Sequence, residues 1–98
     1  MTGRPAEFAV EWDEIKNLLN QKKHRVSFEE AATVFADPLE MMIDDPDHSS
    51  AEHRFISIGD SFKHRVLVVS YIERGNEIRI INARKPTKSE RRAYEEAQ

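Results

Sequence analysis

The chain has no cysteine, which rules out a disulfide framework, a cysteine zinc site and a thiol nucleophile, and fits a reducing compartment. It also lacks any run approaching the roughly 20 apolar residues that a membrane-spanning helix needs. Its opening, MTGRPAEFAV, has no apolar core of the kind a secretory signal carries. The expectation is a soluble, cytoplasmic protein with no membrane partner. Glycine is scarce, at 3 of 98 residues. No glycine-rich phosphate loop, dinucleotide fingerprint or nucleophile elbow occurs, so no cofactor is expected. Metal-site patterns are missing as well. The stretch from Asp44 to His53 holds Asp44, Asp45, Asp47, His48, Glu52 and His53. It has neither the spacing and turn glycine of a calcium loop nor the paired histidines of a zinc helix, and it reads as a solvated loop.

What is present suffices for one domain over residues 1–98, with residues 1–6 as a flexible terminus. A chain of this size buries roughly 60–70% of its extended surface in one modest core. The formal net charge is −3, which taken alone argues against a nucleic-acid partner. Its distribution is uneven. Between Ser27 and His53 there is no Lys or Arg, whereas Arg79, Arg84, Lys85, Lys88, Arg91 and Arg92 crowd a segment whose only acid is Glu90. One basic and one acidic region follow; the first suits RNA, the second a basic partner, and the plainer alternative is ordinary solvated surface.

Trp12, Ile15, Leu18 and Leu19 recur at helical spacing, with Asp13 as cap and Lys22, Lys23 and His24 at the negative end of the dipole, which predicts a first helix. Ser27 and Glu30 have capping-box spacing, and Phe28, Ala31, Ala32 and Phe35 continue a second helix to about Ala36, stopped by Asp37-Pro38. Alternation over Leu39 to Asp44 predicts a strand. Three more follow over Arg54 to Ile58, Arg65 to Ile72 and Glu77 to Arg84, the last two joined by a tight turn at Gly75-Asn76. Thr87 and Glu90 start a final helix with thin apolar content. The expected fold class is α+β: two N-terminal helices, a four-stranded antiparallel sheet with helices on one face, and a C-terminal helix, with Phe8 to Trp12 offering a short extra N-terminal strand.

If the Gly75-Asn76 hairpin has a two-residue loop, residues summing to about 151 face each other, setting Tyr71 opposite Ile80, Val69 opposite Asn82 and Leu67 opposite Arg84. If Ile58 meets Arg65 in the preceding hairpin, Arg54, Tyr71, Asn82 and Arg84 share one open face. Val66, Val68, Ser70, Ile72, Ile81 and Ala83 then form the core face, with Arg79 at its end near the turn. A one-residue slip reverses these assignments. Arg54 and Arg84 on an open face suit successive phosphates, because a guanidinium fork matches phosphate oxygens; the alternative is pairing with carboxylates such as Glu52. His24, beside Lys23 at a helix end, is the histidine placed for proton transfer, or else a helix-end cap.

The blocks FAVEWDEIKNLLNQKKHRVSFEEAATVFADP, HRF, LVVSYIERGNEIRIINAR and ERRAYEE together resemble the BrnT family of toxins from Phe8 to about Glu95. The resemblance implies a RelE-like fold and a metal-independent endoribonuclease that cuts RNA by 2′-hydroxyl attack and inhibits translation and growth. It also implies a ribbon-helix-helix antitoxin as partner, through which alone DNA is contacted. The matching positions in this sequence are Lys23, His24, Arg54, Tyr71, Arg79 and Arg84. With Asn82 added from the open sheet face and Lys85 from the basic segment, His24, Arg54, Arg79 and Arg84 are the catalytic candidates, and Lys23, Tyr71, Asn82 and Lys85 the substrate-binding ones. The arginines would supply cations for the transition state, His24 a base or acid, and Tyr71 a stacking platform or proton donor. The family pattern has glycine where Arg25 stands, a position that ends the first helix in a left-handed conformation. Pro86 is a second departure, at the approach to the final helix. A catalytically silent member of the fold, serving as a binding module for its antitoxin, is the alternative from another class. An RNA binder without cleavage is a third.

Overall fold

The computed structural model describes residues 7–45 and 53–98. Asp47, His48 and Glu52 of the acidic loop, and residues 1–6, lie outside the described residues.

Strand β1 (Ala9–Glu11) is followed by α1 (Glu14–His24), α2 (Phe28–Ala32) with a 3-10 turn over Thr33–Ala36, and β2 (Met41–Asp44). Then come β3 (Arg54–Asp60), β4 (Val66–Arg74), β5 (Glu77–Arg84) and α3 (Lys88–Glu96). The caps explain most boundaries. Asp13 accepts from the Lys16 N–H at 3.3 Å, and Ser27 from the Glu30 N–H at 3.0 Å. The expected Ser27 box is only half formed, because the Glu30 carboxylate turns inward to Arg65 and Ser61. At α3 the box with Thr87 and Glu90 forms in full. Helix α1 closes at Arg25 with φ 61° and ψ 32°, the left-handed conformation that glycine adopts without strain.

The five strands form one mixed sheet in the order β1-β5-β4-β3-β2, with β1 parallel to β5 and the other pairs antiparallel. The expected four-stranded antiparallel sheet is therefore one strand short. The segment around Val10 is a true strand, added parallel along Glu77–Arg79.

Two registers differ from the expected ones, and with them the faces. A bulge between Ser70 and Tyr71 keeps Tyr71 opposite Ile80 but pairs Val69 with Ala83 and Val68 with Arg84. In the β3–β4 hairpin Ile58 meets Val68 rather than Arg65, because the chain runs on to Asp60 before turning. Odd-numbered shifts exchange faces. Phe55, Leu67, Val69, Tyr71, Ile78, Ile80 and Ala83 now meet Val26, Phe28, Ala31 and Val34 in the main core. The opposite face carries Arg54, Ile56, Ile72, Arg79 and Arg84, and α3 covers one end of it by setting Tyr94 against Ile58, Val66 and Val68. The helices thus occupy both faces, not one. Gly59 permits the close approach of the 3-10 turn, since a Cβ there would lie 2.8 Å from a Val34 methyl.

No helix among the described residues is long and apolar enough to cross a membrane.

Candidate active site

The last turn of α1 is fixed to the sheet by one buried amide. Asn20 donates from Nδ2 to the carbonyls of Ala83 (2.8 Å) and Val26 (2.9 Å), and its Oδ1 accepts from the Ala83 N–H (3.2 Å) and from Asn82 Nδ2 (3.3 Å). Strand β1 pairs only with Glu77–Arg79, so this side chain satisfies the edge of β5 farther along, where a strand would otherwise continue. The consequence is positional. Lys23 and His24 are held against the edge of β5, where Lys16, Leu19, Ile81 and Asn82 complete a shallow, open pocket of about 190 Å³. His24 is half-buried and Lys23 exposed. An imidazole, two ammonium groups and a carboxamide around one concavity can bind an anion and move a proton beside it.

The arginines lie on the adjoining sheet face. Arg54 pairs with Ile72, Ile72 with Arg79, and Arg79 with Glu11, a single row across four strands. Two strand spacings separate the Cα atoms of Arg54 and Arg79, roughly 10 Å. Arg79 Nη1 is 3.2 Å from Glu11 Oε2, whereas Arg54 forms no ion pair among the described residues. Arg84, beyond Asn82 on β5, is gripped by both oxygens of Glu90 at 2.8 and 2.9 Å and also donates to the Lys85 carbonyl. The hydrogen bonds from Arg84, outweighing burial and joined by the Thr87 N–H, hold the Glu90 carboxyl down at about 2.

The expected residues are thus only partly assembled. Lys23, His24 and Asn82 meet in one pocket, and Arg79 and Arg84 flank Asn82 on the same strand. The arginines do not line that pocket, and Lys85 lies exposed beyond the end of β5. Tyr71 is misplaced by the expected register. It is fully buried between Phe35 and Phe55, with its hydroxyl 3.0 Å from Ser57 Oγ, so it offers neither a stacking surface nor a proton to a ligand outside. Asn20 escaped the sequence reading. Asn17 and Asn20 stand three apart on the face of α1 opposite Ile15, Leu18 and Leu19, a face that reads as solvated in the sequence, so no local signal marks the tie.

The model of the family described as "Ribonuclease toxin, BrnT, of type II toxin-antitoxin system" matches residues 12–90. No curated protein matches the sequence. Among solved structures, the 1.1 Å crystal structure of the Brucella abortus ribonuclease toxin BrnT is similar at 20% identity and a TM-score of 0.60, over 83% of this chain and 99% of that one. The likeness extends to the α+β architecture of three helices and a five-stranded sheet.

Proposed function

The chain belongs to the BrnT family of ribonuclease toxins of type II toxin-antitoxin systems, and from that premise we propose that it cleaves RNA at the pocket where α1 meets the edge of β5. The observation that carries this reading is the placement of Lys23 and His24 beside Asn82, with Arg79 and Arg84 on either side along the same strand.

The reaction is attack of a ribose 2′-hydroxyl on the adjacent phosphorus. The 2′-O–P bond forms, the P–O5′ bond breaks, one proton leaves the 2′-hydroxyl and one reaches the 5′-oxygen. His24 is the group that moves a proton. Lys16 and Lys23 face the charge that gathers on the phosphoryl oxygens, and Asn82 orients the nucleotide. Arg54 and Arg79, about 10 Å apart, hold flanking phosphates on the open sheet face, joined by Arg84 once it exchanges Glu90 for phosphate. No step calls for a metal ion. Cleavage arrests translation and growth, and a BrnA-like ribbon-helix-helix antitoxin neutralises the toxin and contacts DNA on its behalf.

The test is inducible expression in bacterial cells of the wild type, His24→Ala and the Arg54→Ala, Arg84→Ala double variant at matched protein levels. Growth arrest with RNA cleavage, and cyclic phosphate at the new 3′ ends, is expected for the wild type alone. Intact RNA and normal growth with all three would favour the second reading, a silent module that binds its antitoxin. One observation speaks for that module: Arg79 and Arg84 already hold carboxylates.

A further inference from the structure

The apolar stripe that marks α1 as a helix faces away from the molecule. Ile15, Leu18 and Leu19 are 68%, 57% and 60% exposed, and the side turned inward is Asn17 and Asn20. Three large aliphatic side chains at positions i, i+3 and i+4 form one contiguous ridge, of the kind another helix reads. Beside it runs an open groove of about 560 Å³ from Leu18 and Leu19 past Lys22 to Arg25. Such a patch on a small protein marks a place where a second chain completes the burial.

Charge selects the occupant. Lys16, Lys22, Lys23 and Arg25 border the ridge, while the single carboxylate of α1, Glu14, is engaged with Asn17 and Trp12. A second copy of the chain would bring these cations against each other, whereas an acidic amphipathic helix offers apolar side chains to the ridge and carboxylates to its border.

We propose that α1 is the docking surface for the antitoxin, which lays an acidic amphipathic helix along Ile15, Leu18 and Leu19. The proposal rests on the toxin-antitoxin reading above, and it adds the means of neutralisation. Leu19 belongs both to the ridge and to the wall of the His24 pocket. A helix bound along α1 therefore covers the mouth of that pocket and excludes RNA.

The experiment uses the antitoxin encoded beside the toxin gene, purified and titrated against the full chain. The variants are Ile15→Glu with Leu18→Glu, and Lys22→Glu, none of which lines the His24 pocket. All three side chains are exposed, so folding, followed by circular dichroism, is expected to be unchanged. The double variant should weaken antitoxin binding by about a hundredfold or more, and Lys22→Glu by about tenfold with a shallower salt dependence. Free variants should cleave RNA as the wild type does. Unchanged antitoxin affinity in both variants would overturn the proposal. So would a wild-type homodimer, seen by sedimentation, that the double variant splits while its antitoxin affinity stays the same. If the wild type cleaves no RNA, the catalytic reading fails, and the affinities still decide where the antitoxin docks.

Discussion

Asn20 on α1 satisfies both the N–H and the C=O of Ala83, sixty-three residues away on β5. A single amide thereby stands in for the next residue of a neighbouring strand. Replacing it with alanine strands two backbone groups of Ala83 and the Val26 carbonyl in a site that is 6% exposed. Unfolding in urea should then show Asn20→Ala destabilised by about 3 kcal/mol, with the loss of more than one buried partner setting the size. Asn20→Asp keeps the acceptor but cannot donate to the two carbonyls, and should be destabilised to a similar extent.

Glu30 and Arg65 form the second long-range tie. The carboxylate is 1% exposed, receives Nε at 2.8 Å and Nη2 at 2.6 Å from Arg65, and accepts from the Ser61 hydroxyl at 2.7 Å. Arg65, whose hydrogen bonds outweigh the effect of burial, holds the Glu30 carboxyl below the usual range. Arg65 also donates to the Arg25 carbonyl, so it joins α2, the β3–β4 turn and the end of α1. Removing it leaves a buried charge. Arg65→Ala should cost about 3 kcal/mol at neutral pH, and Glu30→Gln in the same background should recover part of that loss, which a double-mutant cycle by denaturation measures.

The secondary structure was legible because its signals are local: capping residues, the Gly75-Asn76 turn, and alternating apolar positions. The faces of the sheet were not. One bulged residue on β5, and a three-residue shift of the β3–β4 register that sets Ile58 against Val68 rather than Arg65, exchange sides, and neither leaves a mark in the pattern of a strand apolar on both faces. This is why Tyr71 was expected in the open and lies in the core, while Arg79 joins Arg54 on the outer face. The clustering of Lys23 and His24 with Asn82 depends on Asn20, a contact across 63 residues that no local rule exposes. The outward stripe of α1 reads the same in sequence as a buried one.

Arg25 is a conformational misfit that the sequence did announce. Its φ of 61° places a Cβ where a left-handed backbone disfavours one. The carbonyl that Arg65 uses belongs to the backbone and survives substitution. Arg25→Gly should therefore raise stability, by about 0.5–1 kcal/mol after allowing for the greater freedom of glycine in the unfolded chain. Thermal unfolding of the variant against the wild type checks the sign. A lower melting temperature would mean that the arginine side chain contributes more than its backbone costs.

The anchorage of α3 should fail at both ends of the pH scale, for opposite reasons. Glu90 is depressed from 4.5 to about 2, chiefly by Arg84. A carboxylate with a lowered folded pKa contributes its full stabilisation above the unfolded value and loses it as pH falls from about 4.5 toward 2. Asp37 adds to the same limb. Burial pushes it up, but hydrogen bonds from Tyr94 and from the N–H groups of Asp60 and Leu39 carry it below its usual value. Tyr94 behaves in reverse. Burial, then its bond to Asp37, raises it from 10.0 to about 12, so the neutral phenol contributes fully below 10 and is lost as pH climbs through 12. Ring resonances of Tyr94 and methyl resonances of Ala93, followed by NMR across a titration, should show a docked plateau bounded on both sides. Glu90→Gln should shrink the acid limb, and Tyr94→Phe should remove the alkaline one. Because the same Glu90 occupies Arg84, Glu90→Gln should also tighten RNA binding at low salt, an effect that Arg84→Ala abolishes. Unchanged RNA affinity in Glu90→Gln would show that Arg84 belongs to the α3 anchor alone.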